Sequence, residues 1–505
     1  MSATFNPQVD LSWRGSPAPL SMRRLGDNRE PLRRLYFLDF PLLLLSVGLL
    51  TWVLPTDTML AVSSFVGAMV GLYSLWEIVI RRGPIRFAHF FCVANTVGYG
   101  FGALNSWLTI SRGTMSLADF FNRDTAAVSH AMAAVLISSG ILYALGEIYE
   151  TPIFGTNFRL KLDNRAAAFV FFGTALIIVG YATGSMGYMG VNAIGNGGHV
   201  SVLAGLLGWL FPTLFAFTAL TFLEWPKGML KSSIGLMLAM QFVLTVPTGR
   251  RSIVYYIMMA LIAARFSSFR PSWSFLRKAV YASILAGVIA IGVVAFFYLR
   301  YAAWGKRKAT LLDRISLAID LYESGNTAKA NQGLQQNLQK RTFVLGYLSD
   351  LLDASMRMKP GYGINALHEF QLVVPSAFWE DKGAVLYSEE SIANTQFNFA
   401  YKDEANSLYT AGAIDFGFWG MIFYPILIWM LFRGMAEIVR VNSPEMVSTI
   451  IILALLYNSL ITEAGLWVHL LAVRDSILFS AFLWVFFKVP AISFKPQSQT
   501  GAFHP

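Results

Sequence analysis

The sequence predicts an all-α polytopic membrane protein with about twelve transmembrane helices. Of its 505 residues, 55% are hydrophobic and only 13% are charged, whereas a soluble domain needs a more polar surface. The apolar residues are gathered in runs of about 17–25, the length that a helix needs to cross a hydrocarbon core of roughly 30 Å. The single cysteine, Cys92, lies in one of these runs, which excludes an intramolecular disulfide and a cysteine metal cluster.

Nine predicted spans precede a long polar segment and three follow it. The first nine cover residues 35–54, 58–80, 87–110, 126–147, 167–184, 199–222, 229–248, 251–269 and 279–300, and the last three cover 413–432, 447–464 and 468–488. Membrane helices therefore occupy 35–300 and 413–488, with a large loop over 301–412 between them. Residues 1–34 and 489–505 are predicted to be tails, and the N-terminal one is basic and unlike a cleavable signal peptide.

The distribution of Lys and Arg predicts the orientation in the membrane. If both termini are cytoplasmic, the cytoplasmic segments contain 22 Lys and Arg residues. The short loops on the other side contain four, at positions 112, 123, 250 and 251. The positive-inside rule favours this arrangement. It also explains most of the formal net charge of +10 without a nucleic-acid partner.

The loop over 301–412 falls outside the cytoplasm in this topology. Two of its segments, 311–322 and 343–352, repeat apolar residues at helical spacing. Both are predicted to be amphipathic helices that lie along the membrane surface. Since the loop also contains most of the charge outside the cytoplasmic segments, it is the natural place for chemistry on a polar substrate.

Arg250 and Arg251 stand between two apolar runs, on the side where positive charge is scarce. Pro247 and Gly249 predict a tight turn that leads directly into the eighth span. Helix N-termini favour anions, and guanidinium groups bind phosphate oxygens in a bidentate manner. A pair of interfacial anchors that reach lipid head groups is the equally weighted alternative.

Arg474 lies about two turns into the last predicted span, where insertion of an arginine costs roughly 2.5–3.5 kcal/mol. It is therefore expected to face a polar cavity or an ion-pair partner on another span. The adjacent Asp475 points about 100° away on a helix and need not be that partner. His469 and Glu463 fall near the same outer surface, where an interfacial histidine and a solvated loop carboxylate are the simpler interpretations.

Together these positions form a predicted outer cluster of ions beside an apolar interior. A phosphate head with a lipid tail is the kind of ligand that such a surface suits, and polyprenyl pyrophosphate-linked sugars are an example. The predicted outer cluster also includes residues of the large loop, namely Arg341, His368, Glu369, Lys382 and Glu404.

Three segments resemble the bacterial O-antigen and exopolysaccharide polymerases (Wzy-type), within the O-antigen polymerase and ligase superfamily. TGRRSIVYYIMMALIAAR is similar to the (S/T)GxR turn that enters a helix in that group. VVPSAFWEDKG is similar to its Pro-(Arg)-x-x-W-x-x-K pattern, with Ser376 where arginine is frequent. DEANSLYTAGAIDFGFWGMIFYPIL is similar to its Glu-x-x-x-Tyr-x-x-x-G-x-x-G entry into a span, with looser spacing from Glu404 and Tyr409 to Gly417 and Gly420.

The resemblance covers roughly residues 240–480 and implies a membrane-embedded glycosyltransferase of the GT-C type that uses no metal or cofactor. Such an enzyme joins oligosaccharide repeat units carried on undecaprenyl pyrophosphate at the periplasmic face of the bacterial inner membrane. The implied partners are the lipid-linked substrates, the bilayer, a chain-length regulator and a flippase.

Roles for individual residues follow from that reaction. The departing pyrophosphate gains negative charge, which Arg250, Arg251 and Arg474 are expected to stabilise, with Arg341 and Lys382 as further phosphate ligands. A general base for the attacking hydroxyl is expected among His368, Glu404 and His469. For His368 a turn histidine on the loop, and for Lys382 a solvated lysine, remain open alternatives.

Two other functions remain open at this point. A ligase of the same superfamily transfers finished glycan to a different acceptor, and its topology and arginines are the same. A secondary transporter or flippase needs cavity-lining ions and repeated spans. The two halves of the chain show no clear repeat, and the ionisable residues concentrate near the outer surface.

Overall fold

The computed structural model describes most of the membrane region and part of the large loop. The described residues are 30–80, 83–111, 123–154, 160, 162–183, 186, 202–267, 275–302, 311–325, 328, 344–375, 378–379, 388–401 and 406–488. For some helical residues, Arg250 and Arg251 among them, the description covers the backbone alone. The C-terminal tail and most of the N-terminal tail lie outside it, and the first helix begins at Glu30, before the predicted start at residue 35.

The predicted all-α class is confirmed for this part of the chain, whose one β-type contact is an isolated bridge between Ile85 and Phe154. The α-helices are α1 (Glu30–Val53), α2 (Asp57–Val79), α3 (Phe87–Ser111), α4 (Thr125–Tyr149), α5 (Asn164–Ala182), α6 (Val202–Glu224), α7 (Met229–Thr245), α8 (Arg250–Ala264), α9 (Phe275–Ala302), α10 (Leu311–Glu323), α11 (Val344–Arg357), α12 (Ile364–Val373), α13 (Glu389–Phe397), α14 (Leu408–Phe416), α15 (Phe418–Asn442), α16 (Glu445–Ser459) and α17 (Leu466–Lys488).

Seven described helices are long and apolar enough to cross a membrane, and four further apolar helices are shorter. The seven are α2, α4, α5, α6, α7 with the turn after it, α15 and α17, and the shorter ones lie within α1, α8, α9 and α16. With α3 included, eleven of the twelve predicted spans each match one helix, and the tenth is divided between α14 and α15. A helix of 15 residues covers only about 22 Å, so length alone leaves the count of twelve a prediction.

Segments predicted to be cytoplasmic meet at one end of the helix bundle. Arg265, just after α8, donates from Nη1 to the carbonyl oxygen of Ile78 at 3.3 Å. Arg165, at the start of α5, donates to the carbonyl oxygen of Phe487 at the end of α17. These contacts agree with the predicted alternation of the chain between two sides, although they do not identify the sides. We call this the Arg86 end, because Arg86 lies in the segment between α2 and α3 there.

Helices α11 to α14 of the large loop belong to the opposite end, which we call the loop end. The helix predicted over 343–352 is present as α11, but its apolar face does not lie along lipid. Leu348, Leu351 and Leu352 are buried in a core formed with α4 and α14. Arg123, before α4, fixes α11 through Asp350, whose Oδ1 and Oδ2 lie 2.7 and 2.8 Å from Nε.

The tenth span begins later than predicted. The sequence predicts one helix over 413–432, whereas the chain forms α14, breaks at Gly417 and continues as α15. Gly417 has φ 59°, a conformation that favours glycine. The two helices then approach so closely that a Cβ at Gly420 would lie 2.0 Å from the carbonyl oxygen of Gly412.

The predicted turn before the eighth span is present. Val246–Thr248 forms one turn of 3₁₀ helix, and Gly249 follows with φ 140°. Helix α8 then starts at Arg250, which places the backbone of both arginines in its first turn.

Candidate functional site

Asp415 of α14 fastens the start of α12 to the membrane helices. Helix α12 follows Gly363 and has no side-chain cap of its own. Asp415 supplies one. Its Oδ1 accepts a hydrogen bond from the backbone N–H of Asn365, and its Oδ2 accepts one from the backbone N–H of Ala366, both at 2.8 Å. Its Oδ2 also accepts from the Tyr424 hydroxyl at 2.6 Å. Donors in the first turn of a helix otherwise lack partners, so this carboxyl group determines where α12 begins.

Glu369 joins the same loop helix to the start of α17. Its Oε1 accepts from Nδ2 of Asn365 at 3.2 Å, and its Oε2 accepts from the Trp467 amide at 2.7 Å. The Trp467 amide belongs to the first turn of α17, where a negative charge is favourable. Burial nevertheless raises the pKa of Glu369 to about 7, because desolvation outweighs these hydrogen bonds.

Glu389, the first residue of α13, lies beside Glu369, and we call the two the carboxylate pair. Its side chain is buried, with 5% exposed. Glu369 and Thr410 are neighbours, yet neither oxygen of Glu389 makes a hydrogen bond of acceptable geometry with a described residue. Burial, and then the charge of Glu369, raise the pKa of Glu389 well above its usual range. Both carboxyl groups of the pair therefore bind a proton more tightly than a free glutamate does.

Arg474 binds the other end of α12. Its Nη1 donates to the Val373 carbonyl oxygen at 2.8 Å. Its Nε and Nη2 donate to Oδ1 of Asp475 at 2.8 and 2.6 Å. The sequence predicted a polar cavity or an ion-pair partner on another span for Arg474 and left Asp475 open, and the structure shows that the ion-pair partner is Asp475 on the same helix. The guanidinium group is long enough to fold back onto its neighbour's carboxylate despite the angle between the two side chains.

His469 lies one turn into α17 and is 1% exposed. Its Nδ1 donates to the Gly465 carbonyl oxygen at 3.0 Å, since a carbonyl oxygen only accepts. Its ring packs against Phe91 and Phe432, so it is a buried residue and not an interfacial one. Its Nε2 has no hydrogen-bond partner within the described portion of the chain.

The structure brings together only part of the predicted outer cluster. His368, His469 and Arg474 lie at the loop end, His368 being half-buried on α12. Arg250 and Arg251 begin α8, and the description does not extend to their side chains. The predicted ligands and bases outside the described residues are Arg341, Lys382 and Glu404.

Two carboxyl groups of this site were missed by sequence reasoning, and a third was noticed without a role. Asp415 had a usable signal, because an acidic residue in the apolar run GAIDFGF normally has a specific partner. Glu389 had none, since SEESIANTQF has the composition of a solvated helix start. Glu369 was grouped with the loop ions, but its partner Trp467 is 98 residues away and cannot be read from local pattern.

The Arg86 end also contains buried carboxyl groups, but these have hydrogen-bond or ion-pair partners within the fold. Oε1 of Glu147 accepts a hydrogen bond from Nη1 of Arg86 at 2.8 Å and lies 2.7 Å from Nε2 of His89. Glu150 accepts from Nε1 of Trp429 at 2.7 Å and from amides in the first turn of α3. These contacts stabilise the fold and leave little capacity for a ligand.

The loop end differs from the Arg86 end because its carboxylate pair is buried without a cation in contact among the described residues. No group of three or more His, Cys, Asp and Glu side chains in that part of the chain is arranged to hold a metal ion. No protein-family model, curated protein or solved structure matches the chain.

Proposed function

We propose that this protein is a GT-C-like glycosyltransferase that joins oligosaccharide repeat units carried on undecaprenyl pyrophosphate at the periplasmic face of the inner membrane. The observation that carries the proposal is the position of Glu369, a buried carboxyl group with a raised pKa that joins the large loop to the last membrane helix. A general base works best when its pKa is near the operating pH. The resemblance of residues 240–480 to the Wzy-type polymerases supports the same reaction.

In the proposed reaction a hydroxyl group of the incoming repeat unit attacks the anomeric carbon of the growing chain. The bond from that carbon to the pyrophosphate oxygen breaks, and undecaprenyl pyrophosphate departs with the electron pair. Glu369 takes the proton of the attacking hydroxyl. Arg250 and Arg251, at the N-terminus of α8, bind the departing diphosphate, as the helix end and the guanidinium forks both favour an anion.

The first test is the polysaccharide ladder of a deletion strain carrying plasmid copies of the gene. Wild type is expected to restore the ladder, and Arg250→Ala is expected not to. Glu369→Gln keeps the shape of the side chain but removes the base, so the polymerisation rate should fall about 10²–10⁴-fold. Glu390→Gln is the matched control, because Glu390 is a half-buried neighbour of the carboxylate pair. A normal ladder with both Arg250→Ala and Glu369→Gln would refute the proposal.

The same strain separates polymerase from ligase. Loss of a polymerase leaves single repeat units attached to their acceptor, whereas loss of a ligase leaves long polymer on the lipid carrier. Extraction of the lipid-linked glycans, followed by sizing on a gel, distinguishes these outcomes. We expect single units.

Proton-coupled transport is the second candidate, and the carboxylate pair favours it, since buried carboxyl groups that share protons are typical of transporters. Purified protein in sealed vesicles distinguishes the two functions. Movement of lipid-linked substrate that depends on a pH gradient, without formation of a glycosidic bond, would establish transport. Bond formation without a gradient would establish the transferase.

A further inference from the structure

Helix α12 has two faces of opposite character. Asn365 and Glu369 are buried against α14 and α17. The other face exposes Ile364, Leu367 and Phe370, and the apolar stripe continues past the helix end. The helix has no exposed charged side chain, because Glu369 is buried and His368 is half-buried. A loop helix surrounded by water would not keep such a surface bare.

The depth of α12 is set by two hydrogen bonds to the same spanning helix. The Glu369 side chain accepts a hydrogen bond from the backbone amide of Trp467. Four residues later, the Val373 carbonyl oxygen accepts one from Arg474. Trp467 and Arg474 are seven residues apart on α17, about 10 Å along its axis. Helix α12 therefore runs beside α17, from the start of α17 towards its middle. The long Arg474 side chain accounts for part of the roughly 10 Å between the two contacts.

The start of α17 is also the level of a predicted interface. Trp467 and Trp419 are both exposed near the starts of their helices, and tryptophan collects where hydrocarbon meets head groups. Arg474 lies on the hydrocarbon side of that level, within the candidate span Leu466–Phe487. The C-terminal end of α12, bound to Arg474, lies on that side as well.

A helix end in hydrocarbon needs partners for its last carbonyl groups, because lipid offers none. Arg474 supplies a charged donor to the Val373 carbonyl oxygen. Asp475 compensates the charge of the guanidinium group, so the contact brings no isolated ion into the membrane. If α12 is inserted in the membrane, the Val373 carbonyl oxygen needs this donor. If α12 lies in water, water molecules can satisfy the same carbonyl oxygen.

We propose that α12 is a membrane-inserted helix whose Leu367 and Phe370 face contacts the acyl chains of phospholipids in the leaflet at the loop end. The large loop is then not wholly extramembranous, and Glu369 lies on the protein-facing side of a helix whose other side faces lipid. The inference depends on burial and hydrogen bonds alone, so it holds whether or not the chain is a glycosyltransferase.

The test uses single labelled cysteines in vesicles that contain phospholipids brominated on their acyl chains. The native Cys92 is fully buried, and wild type serves as the background for labelling. Phe370→Cys, at a position 48% exposed, receives an environment-sensitive fluorophore. Ile477→Cys on the lipid-facing side of α17 is the membrane reference, and Thr395→Cys on the polar helix α13 is the aqueous reference.

We expect the Phe370 label to be quenched by the brominated lipids severalfold more than the Thr395 label, and to emit at a wavelength near that of the Ile477 label. Quenching by aqueous iodide, at the level seen for Thr395, would overturn the proposal. Protection from both quenchers would overturn it too, because a protein segment would then cover the helix. Leu367→Cys provides an independent position if Phe370→Cys does not fold.

Discussion

Glu389 places an ionisable carboxyl group among buried side chains, with Glu369 beside it and no hydrogen bond of acceptable geometry to a described residue. Burying a charge without a partner is costly, so the group binds a proton more tightly in the folded chain than in the unfolded one. A folded state that binds more protons is stabilised by acid. The stability of the loop end should therefore depend on pH.

The sign of this dependence follows from the raised pKa values. The contribution of the carboxylate pair is fully present below about pH 4.5, the ordinary pKa of glutamate, and is lost as pH rises through about 7, the pKa of Glu369. Glu389, whose pKa is raised further, extends the loss to higher pH.

Glu389→Gln should accordingly be more stable than wild type at pH 8 and similar to it at pH 5. Thermal unfolding in detergent, followed by tryptophan fluorescence at several pH values, measures the difference. Glu437→Gln is the control, because Glu437 is only half-buried and is paired with Arg440. Equal pH dependence in wild type and Glu389→Gln would contradict the assignment of the carboxylate pair.

At the scale of elements, the junction of α14 and α15 depends on two glycines that face each other. A Cβ at Gly420 would lie 2.0 Å from the carbonyl oxygen of Gly412, and backbone cannot yield as a flexible side chain does. Asp415, which caps α12, lies between these glycines in the chain. Separation of α14 from α15 would therefore also displace the loop helix.

Gly420→Ala should destabilise the protein by about 1–3 kcal/mol or more, as overpacking does, and should expose α12 to protease. Gly434→Ala on the same helix is the matched control, since nothing lies within 4 Å of a Cβ at that position. Limited proteolysis and thermal unfolding of both variants measure the effect. Unchanged cleavage within residues 359–375 in Gly420→Ala would show that the two helices are not coupled to α12.

Hydropathy predicted the position of nearly every long apolar helix, because an apolar run of about 20 residues usually forms a membrane-spanning helix. It failed at Gly417, where the run continues but the backbone turns. The site was predicted less well, because its contacts join distant parts of the chain. Arg123 and Asp350 are 227 residues apart, and Arg474 and Val373 are 101 apart. Charge and spacing identify such residues as unusual, but only the packing of the helices identifies their partners.

At the scale of the whole molecule, the two ends of the bundle differ in how they use charge. Glu147 at the Arg86 end binds both Arg86 and His89, whereas the carboxylate pair at the loop end has no such cation among the described residues. Buried groups with shifted pKa values are more common at functional sites than elsewhere. The chemistry is therefore expected on the side of the membrane that the loop end faces, which makes the orientation of the chain the decisive question.

Lys and Arg counts predict that the loop end is periplasmic, because the segments that meet at the Arg86 end contain most of the positive charge. Alkaline phosphatase, which is active only outside the cytoplasm, should be active when fused after Gly325 in the large loop. The same enzyme fused after Ser443, between α15 and α16, should be inactive, whereas a green fluorescent protein fused there should fluoresce. The reverse pattern would place the carboxylate pair and the turn at Gly249 on the cytoplasmic side. Lipid-linked repeat units that have already been flipped would then be out of reach, and the proposed polymerase function would fail.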